Sequence, residues 1–343
     1  MRRESIDNMK AFGIALVVIA HCISFYTDYI AVPSRTVLLI GSYCYSVNVA
    51  VFFVLAGYLC HPQAIGQYYI KKIKSILIPF VLFSFLKIFY SLFITDRFVH
   101  ADTPAGMLRD AFLEGRLYWF IYTILLMFLI APVFWKKERA VLTSLVLIGV
   151  TLLNTYLFLT GKTDAVLLLQ INNFLVFLPF FLTGILLGYI PAGRLPDILH
   201  RRRGIKITVS VILTVLMSFL YIRGEQVLLP RELVYPVRFL AAFPLMYLIC
   251  EASAAISVKT ELIRLNGRYS LQIMLMDSFF RVVIYEMLRK LLPEGEYMIW
   301  IVAVLDLTVC VAVAAVCSKI PLVSFLLGLK HEKKAPDKAS CGV

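Results

Sequence analysis

The sequence predicts an all-α membrane protein, a polytopic bundle of about ten transmembrane helices with both termini cytoplasmic. Hydrophobic residues make up 61% of the 343-residue chain and charged residues only 16%, and the mean hydropathy is +0.85. Continuous apolar runs recur along nearly the whole chain, and many are long enough to cross a bilayer core of about 30 Å. The basic residues lie between these runs and alternate in density, which is typical of membrane topology.

Ten apolar runs predict ten spans, near residues 10–28, 36–60, 76–95, 117–135, 140–160, 166–190, 206–222, 233–256, 268–288 and 297–318. An even number of spans places both termini on the same side of the membrane. If that side is the inside, the inner segments hold 22 of the 34 lysines and arginines, and the outer connections hold nine. Cytoplasmic segments are enriched in basic residues, so this split predicts cytoplasmic termini.

One membrane domain is predicted over residues 1–330, followed by a short charged tail, 331–343, that we expect to be disordered. The net charge of +13 is distributed over the connections, so we expect no nucleic-acid partner. The seven cysteines show no paired spacing, and neither a disulfide framework nor a bound metal is expected. The predicted location is the cell membrane, with lipid around the bundle; the oligomeric state stays open.

The first span carries the most informative polar residues. Lys10 stands at its start, and His21 is the only one of five histidines within a long apolar run. The two residues are eleven positions apart, so they share a helix face about 16 Å apart along the axis. Ionisable groups at such depth are costly and usually functional. The alternative interpretation is that Lys10 anchors the topology and His21 is a hydrogen-bonded packing residue.

Other charged residues also interrupt predicted spans. Asp277 and Arg281 are four residues apart, so they either neutralise each other along one helix or leave Asp277 to orient His21 or bind substrate. The remaining charged residues within predicted spans match no motif, and they are Lys87, Arg238 and Asp306. The simplest expectation is one ion pair among these three residues.

Five stretches of the chain contain motifs in a fixed order. Residues 6–21 contain a basic residue, ten intervening residues and a histidine; residues 51–58 contain paired phenylalanines before Gly57 and an aromatic residue. The others are a basic-x-x-basic element followed by a proline in 71–79, Leu-Tyr-Trp-Phe in 117–120, and Leu-Asn-Gly-Arg-Tyr-Ser-Leu in 265–271. Together these stretches resemble acyltransferase family 3, the membrane-bound O-acyltransferases that modify surface polysaccharides and lipid-linked sugars. The resemblance implies a membrane O-acetyltransferase.

The resemblance also implies residue roles. His21 is the expected catalytic base or nucleophile, and Lys10 and Asp277 are the other two expected catalytic residues. Lys71 and Lys74 are expected to bind the phosphates of acetyl-CoA, the acyl donor and co-substrate, without a metal. Trp119 is a candidate for stacking on a sugar of the acceptor, a glycan or lipid-linked saccharide, although aromatic residues are common at membrane interfaces.

The sequence departs from the family pattern at several positions. Lysines replace the commoner arginines at Lys10, Lys71 and Lys74, and Ala56 replaces a serine. Asp277 stands where many members carry a second histidine, which argues against a two-histidine mechanism. Two other functions therefore stay open: a transporter or exporter of a glycan or lipid-linked saccharide, since buried charges serve transport as well, and an acyltransferase-like protein without activity.

Overall fold

The structure, a computed structural model, describes residues 3–93, 103–160, 168–191, 194–221, 231–255 and 261–329. Within these ranges every regular element is helical, so the predicted all-α class is confirmed. The predicted tail, 331–343, lies outside the described residues. The split into a domain over 1–330 and a tail stays a prediction.

The α-helices follow one another along the chain as α1 Arg3–Tyr29, α2 Arg35–Tyr58, α3 Ile65–Lys72, α4 Ile78–Phe93, α5 Pro104–Leu108, α6 Trp119–Phe134, α7 Ala140–Leu159, α8 Ile171–Gly188, α9 Arg194–His200, α10 Arg203–Tyr221, α11 Arg231–Ala255, α12 Glu261–Arg268, α13 Ser270–Leu288, α14 Tyr297–Cys317 and α15 Pro321–Leu326. A π-helical segment, Ile73–Leu77, joins α3 to α4, so these two form one continuous helix.

Each of the ten predicted spans coincides with a long helix of the described residues, α3 and α4 counting as one. Among the described residues, six helices are long and apolar enough to cross a membrane, and two shorter ones, Trp119–Phe134 and Phe239–Ala255, are also apolar. α13 is not among these because Asp277, Arg281 and Glu286 all fall within its nineteen residues. The polytopic helical bundle is therefore confirmed.

Contacts at the ends of the helices join residues that the topology predicts on the same side. Near the predicted inner face, Asn8 Nδ2 donates to the Ser253 carbonyl at 3.1 Å. Near the predicted outer face, Ser34 Oγ donates to Glu296 Oε2 at 2.8 Å. The alternation of spans thus agrees with the packing, while the identity of the cytoplasmic side stays a prediction.

Glycines allow two of the closest helix contacts. A Cβ on Gly57 of α2 would lie 2.0 Å from the Phe181 carbonyl oxygen of α8, and one on Gly184 would lie 2.0 Å from the Val54 oxygen. Small residues let membrane helices approach until their backbones touch. Gly57, in the second resembling stretch, is therefore a packing residue.

The helix that carries the lysines of the basic element begins earlier than the predicted third span. It starts at Ile65, so Lys71 and Lys74 lie on a helix and not in a connecting loop. Pro79 has no N–H to donate to the Ser75 carbonyl, four residues earlier, and the π-helical segment occurs at this point. Gly328, with φ +63°, approaches the Ser75 oxygen, where a Cβ would lie only 2.5 Å away.

Candidate active site

His21 and Asp277, 256 positions apart in the chain, are in direct contact between α1 and α13. His21 Nδ1 lies 2.6 Å from Asp277 Oδ2. The Asp277 side chain is 3% exposed, whereas the His21 side chain is 36% exposed. One edge of the imidazole is therefore held inside the bundle, and the ring remains accessible to a substrate.

Arg281 holds the same carboxylate oxygen. Its Nη1 donates to Asp277 Oδ2 at 2.8 Å, one helical turn further along α13. The carboxylate thus pairs with Arg281 and also contacts His21, and the role of Asp277 in orienting the imidazole stays a prediction. An ionised carboxylate only accepts hydrogen bonds, so His21 Nδ1 carries a hydrogen, and in a neutral imidazole the lone pair is then on Nε2.

A second carboxylate lies close to this pair on α14. Asp306 is fully buried, and Cys310 Sγ donates to its Oδ1 at 3.4 Å. Asp306 is near enough to Asp277 and Arg281 to interact electrostatically with both. Two acidic residues therefore surround Arg281, but only Asp277 contacts the histidine.

Lys87 of α4 also lies near the pair, and sequence reasoning gave it no role because it matches no motif. Its Nζ donates to the Leu117 carbonyl at 3.1 Å and lies 4.0 Å from the centroid of the Tyr118 ring. Tyr118 in turn donates to the Leu275 carbonyl at 2.9 Å, two residues before Asp277. The sequence did contain a signal for Lys87, because a lysine within an apolar run is energetically costly in a membrane helix.

The Arg238 side chain, another charge within a predicted span, lies outside the described part of the structure.

Lys10 is not brought to His21. Its Nζ lies 3.6 Å from Asp7 Oδ1 in a half-exposed i,i+3 pair near the start of α1. Among the described residues no hydrogen bond or ion pair links Lys10 to His21, in keeping with their predicted separation along the axis. Lys10 therefore lies at the predicted inner end of the helix that carries His21 without contacting the histidine.

The lysines of the basic element differ from one another in their surroundings. Lys71 and Lys74 are exposed. Lys72, between them, turns inward, and its Nζ lies 3.3 Å from the centroid of the Phe128 ring. The two lysines predicted to bind phosphate are thus accessible, whereas the middle lysine has a cation–π contact inside the bundle.

A cavity of about 570 Å³ opens beside this region, between the ends of α2, α6 and α8. Its lining includes Cys60, His61, Lys136 and Lys137, and it includes neither His21 nor the lysines predicted to bind the donor. Burial raises the pKa of the Cys60 thiol, and the nearby Lys72 ammonium opposes this only in part. Cys60 is therefore a protonated thiol at neutral pH and a poor nucleophile.

Trp119, the first residue of α6, belongs to a cluster of aromatic rings. Its ring stacks on Phe177 with centroids 5.4 Å apart, and Phe177 stacks on Phe53 at 4.9 Å. Trp119 is only partly buried, so part of its surface remains available. The aromatic stretch around Trp119 and the paired phenylalanines of α2 therefore meet in one cluster.

The described residues contain no group of three or more His, Cys, Asp or Glu side chains that could hold a metal ion. The site consists instead of one imidazole, two carboxylates, a guanidinium and an ammonium, placed between helices of a membrane bundle. Such an arrangement defines an integral membrane protein with an acid–base site in its interior.

The family model described as an acyltransferase domain, that of acyltransferase family 3, matches residues 3–318. The chain belongs to this family, which confirms the resemblance, and it is a membrane protein that transfers acyl groups. Comparisons with curated proteins and with solved structures found no match.

Proposed function

We propose that this protein is an O-acyltransferase that moves an acetyl group, or another small acyl group, from cytoplasmic acyl-CoA to a hydroxyl of a cell-surface glycan or its lipid-linked precursor. The observation that carries the proposal is the 2.6 Å contact between His21 Nδ1 and Asp277 Oδ2 within the acyltransferase domain. A carboxylate that holds one imidazole nitrogen leaves the other free to act as a general base.

In the proposed reaction, His21 Nε2 takes the proton of the acceptor hydroxyl while the hydroxyl oxygen attacks the thioester carbonyl carbon. The carbonyl electron pair moves onto its oxygen and then returns to expel the CoA thiolate, which receives the proton from the imidazolium. Asp277 stabilises the imidazolium between these steps. Nε2 can alternatively attack the thioester itself and carry the acyl group to the acceptor.

The donor is expected at the inner end of the bundle. CoA is cytoplasmic and polyanionic, and Lys71 and Lys74 are exposed cations near that end. Lys10, half-exposed at the start of α1, is a third cation on the helix that carries His21. We propose that these side chains hold the phosphates of acetyl-CoA, with the thioester directed toward His21 and no metal taking part.

The acceptor is expected from the outer side, in the cell membrane where lipid-linked saccharides are exposed. His21 is accessible on α1, and Trp119 offers a partly exposed indole that can stack on a sugar ring. We propose that Trp119 contributes to binding the acceptor.

His21→Gln tests the proposal. Glutamine keeps a hydrogen-bonding group of similar size but cannot act as a base, so acetyl transfer should fall by about 10²–10⁴-fold. The measurement is the acetyl content of the surface glycan by mass spectrometry, in a deletion strain complemented with each variant and matched for protein amount.

Ser24→Ala, one turn further along α1, is the control and should leave acetylation intact, because the Ser24 hydroxyl donates to the exposed Asp28. Near-normal acetylation by His21→Gln would overturn the catalytic role of His21. Unmodified glycan retained inside the deletion strain would instead favour export as the function.

A further inference from the structure

The cavity of about 570 Å³ at the ends of α2, α6 and α8 matches a ligand site in size and in lining. Ligand pockets are typically about 300–1,000 Å³ and combine apolar and aromatic walls with a few polar groups. The lining of this cavity has an apolar and aromatic part, which comprises Cys60, Pro62, Trp135, Gly188 and Tyr189, and a polar part, which comprises His61, Lys136, Lys137 and Glu138. The residues assigned above to acyl transfer are not among them.

Hydrogen bonds and ring contacts fix the aromatic wall of the cavity. Tyr189 donates to the Phe134 carbonyl at the end of α6. The Trp135 ring packs against the Tyr68 ring of α3 with centroids 5.3 Å apart, and Tyr68 donates to the Phe128 carbonyl at 3.1 Å. Because α3, α6 and the end of α8 all hold this wall, the cavity is formed without a ligand, which reduces the entropic cost of binding one.

The two lysines of the cavity are not explained by contacts within the protein. Basic residues after a helix often stabilise its last carbonyls, but at the end of α6 Arg139 already does this, because its Nη1 donates to the Val133 carbonyl at 2.6 Å. Within the described residues no hydrogen bond or ion pair involves the ammonium of Lys136 or Lys137. Glu138 is the only carboxylate among the described residues of the lining, so the lining carries a net positive charge.

The cavity lies at the end of the bundle where the acyl donor is expected. Cys60 Sγ is 3.7 Å from the Tyr68 hydroxyl, and Lys71 follows Tyr68 by three positions on α3. Residues three positions apart are neighbours on one side of a helix. The cavity and the exposed Lys71 are therefore adjacent parts of the same end of the bundle, which the topology predicts to be cytoplasmic.

A nucleotide matches both parts of the lining. Its base has aromatic faces for the wall that contains Trp135 and Tyr189, and its phosphate accepts charge-assisted hydrogen bonds from Lys136 and Lys137. A ribose hydroxyl is a donor for Glu138, a pairing that carboxylates make in other nucleotide sites. The phosphate of a lipid headgroup would occupy only the charged part, because it carries no aromatic ring. CoA contains such a nucleotide, with a 3′-phosphate on its ribose.

We propose that this cavity binds the adenosine 3′-phosphate end of acyl-CoA, with Lys136 and Lys137 on the 3′-phosphate. The assignment rests on the proposed acyl transfer and divides donor binding between two places. Lys71 and Lys74 remain for the diphosphate, and the flexible pantetheine arm extends from there into the bundle toward His21. The nucleotide thus binds apart from the thioester that reacts.

Equilibrium binding to the purified protein tests the site with two donors that differ by one phosphate, acetyl-CoA and acetyl-dephospho-CoA, which lacks the 3′-phosphate. The test variant is Lys136→Ala/Lys137→Ala. Lys333→Ala/Lys334→Ala, at an adjacent lysine pair in the predicted tail, removes the same charge and is the matched control. Acetyl transfer to a lipid extract of the producing cells is measured in parallel.

The wild type should bind acetyl-CoA about 10- to 100-fold more tightly than acetyl-dephospho-CoA, because hydrogen bonds to a charged group are among the stronger ones. Lys136→Ala/Lys137→Ala should lose this preference. Its Kd for acetyl-CoA should rise by a similar factor, and its Kd for acetyl-dephospho-CoA should stay close to the wild-type value. The control should keep the preference. Adenosine 3′,5′-bisphosphate should displace acetyl-CoA from the wild type.

Equal affinity of the wild type for the two donors would overturn the site, and so would a preference that persists in Lys136→Ala/Lys137→Ala. Equal weakening of both donors in that variant would indicate a general effect of charge, such as contact with lipid phosphate, and would also overturn the assignment. Acetyl-CoA binding with the expected preference but without transfer would overturn the proposed function and support the site. Transfer with equal affinity for both donors would overturn the site alone.

Discussion

At His21 the polar side chains contact one another, whereas Lys71 and Lys74, at the predicted inner end of the bundle, project from the helix surface. Asp277 is 2% exposed and contacts both His21 and Arg281 through one oxygen. Buried polar groups are costly unless they are paired, so their contacts report directly on how they work together. An exposed lysine without a protein partner costs little free energy because water solvates its charge. Its position therefore shows only at which end of the bundle it lies.

The largest loss of acetyl transfer is expected when the contacts of Asp277 with His21 and Arg281 are broken. Asp277→Asn keeps the shape of the side chain but removes the charge that stabilises the imidazolium, so acetyl transfer should fall by about 10²-fold or more. The change also removes the ion-pair partner of the buried Arg281, and breaking such a pair costs about 3–5 kcal/mol. The measurements are acetyl-CoA turnover and the amount of folded protein in the membrane.

The double variant Asp277→Asn/Arg281→Gln separates these two effects. It removes both charges, so it should recover folded protein while transfer stays low. Asp28→Asn, at an exposed aspartate of α1, is the control for loss of a carboxylate. Recovery of transfer in the double variant would show that Asp277 serves only to neutralise Arg281.

The sequence was sufficient to predict the helices but not the site. Each predicted span is a largely apolar segment. Its hydrophobicity is a local property of the sequence, so it can be recognised without knowing which helices pack against it. The contact between His21 and Asp277 joins residues 256 positions apart, and no pattern within either helix specifies that they face each other. Both residues could be identified as candidates because ionisable groups are rare in apolar runs.

Lys87 shows most clearly what the sequence could not provide. It contacts Leu117 and Tyr118, which follow a connection whose folding is set by tertiary contacts. In the structure, Met107 and Ala111 of this connection are buried against Ile88 of α4, so its described part packs on the bundle.

A second prediction concerns residues 265–271, one of the five stretches that resemble the family, in which a glycine allows close helix packing. A Cβ on Gly267 would lie 2.0 Å from the Asp7 carbonyl oxygen at the start of α1. Gly267→Ala should therefore force α12 away from α1 and sharply lower the amount of folded protein. Gly66→Ala is the matched control, because no atom lies within 4 Å of a Cβ there. Equal accumulation of the two variants would contradict the close contact.

A smaller effect is expected at the exposed lysines. Lys71→Ala/Lys74→Ala should raise the KM for acetyl-CoA by about tenfold or less, since an exposed ion pair contributes about 0.2–1 kcal/mol. The difference from the wild type should shrink at high salt, where exposed charges are screened. Turnover at saturating acetyl-CoA should not change.

Lys319→Ala removes another exposed lysine near the predicted inner face and serves as the control. An unchanged KM at low salt in the double variant would leave Lys71 and Lys74 as topological anchors. The donor phosphates would then have to be sought elsewhere, and the cavity that contains Lys136 and Lys137 would be the next place to examine.

The smallest effect is expected at Lys10, which belongs to the exposed group although it shares a helix with His21. Lys10→Arg should change turnover and KM by about twofold or less, because the charge is kept and a helical ion pair such as that with Asp7 contributes about 0.2–0.5 kcal/mol. Lys10→Met should raise the KM for acetyl-CoA and leave turnover unchanged. A tenfold lower turnover for Lys10→Arg at constant KM would place Lys10 in the chemical step with His21, despite their separation along α1.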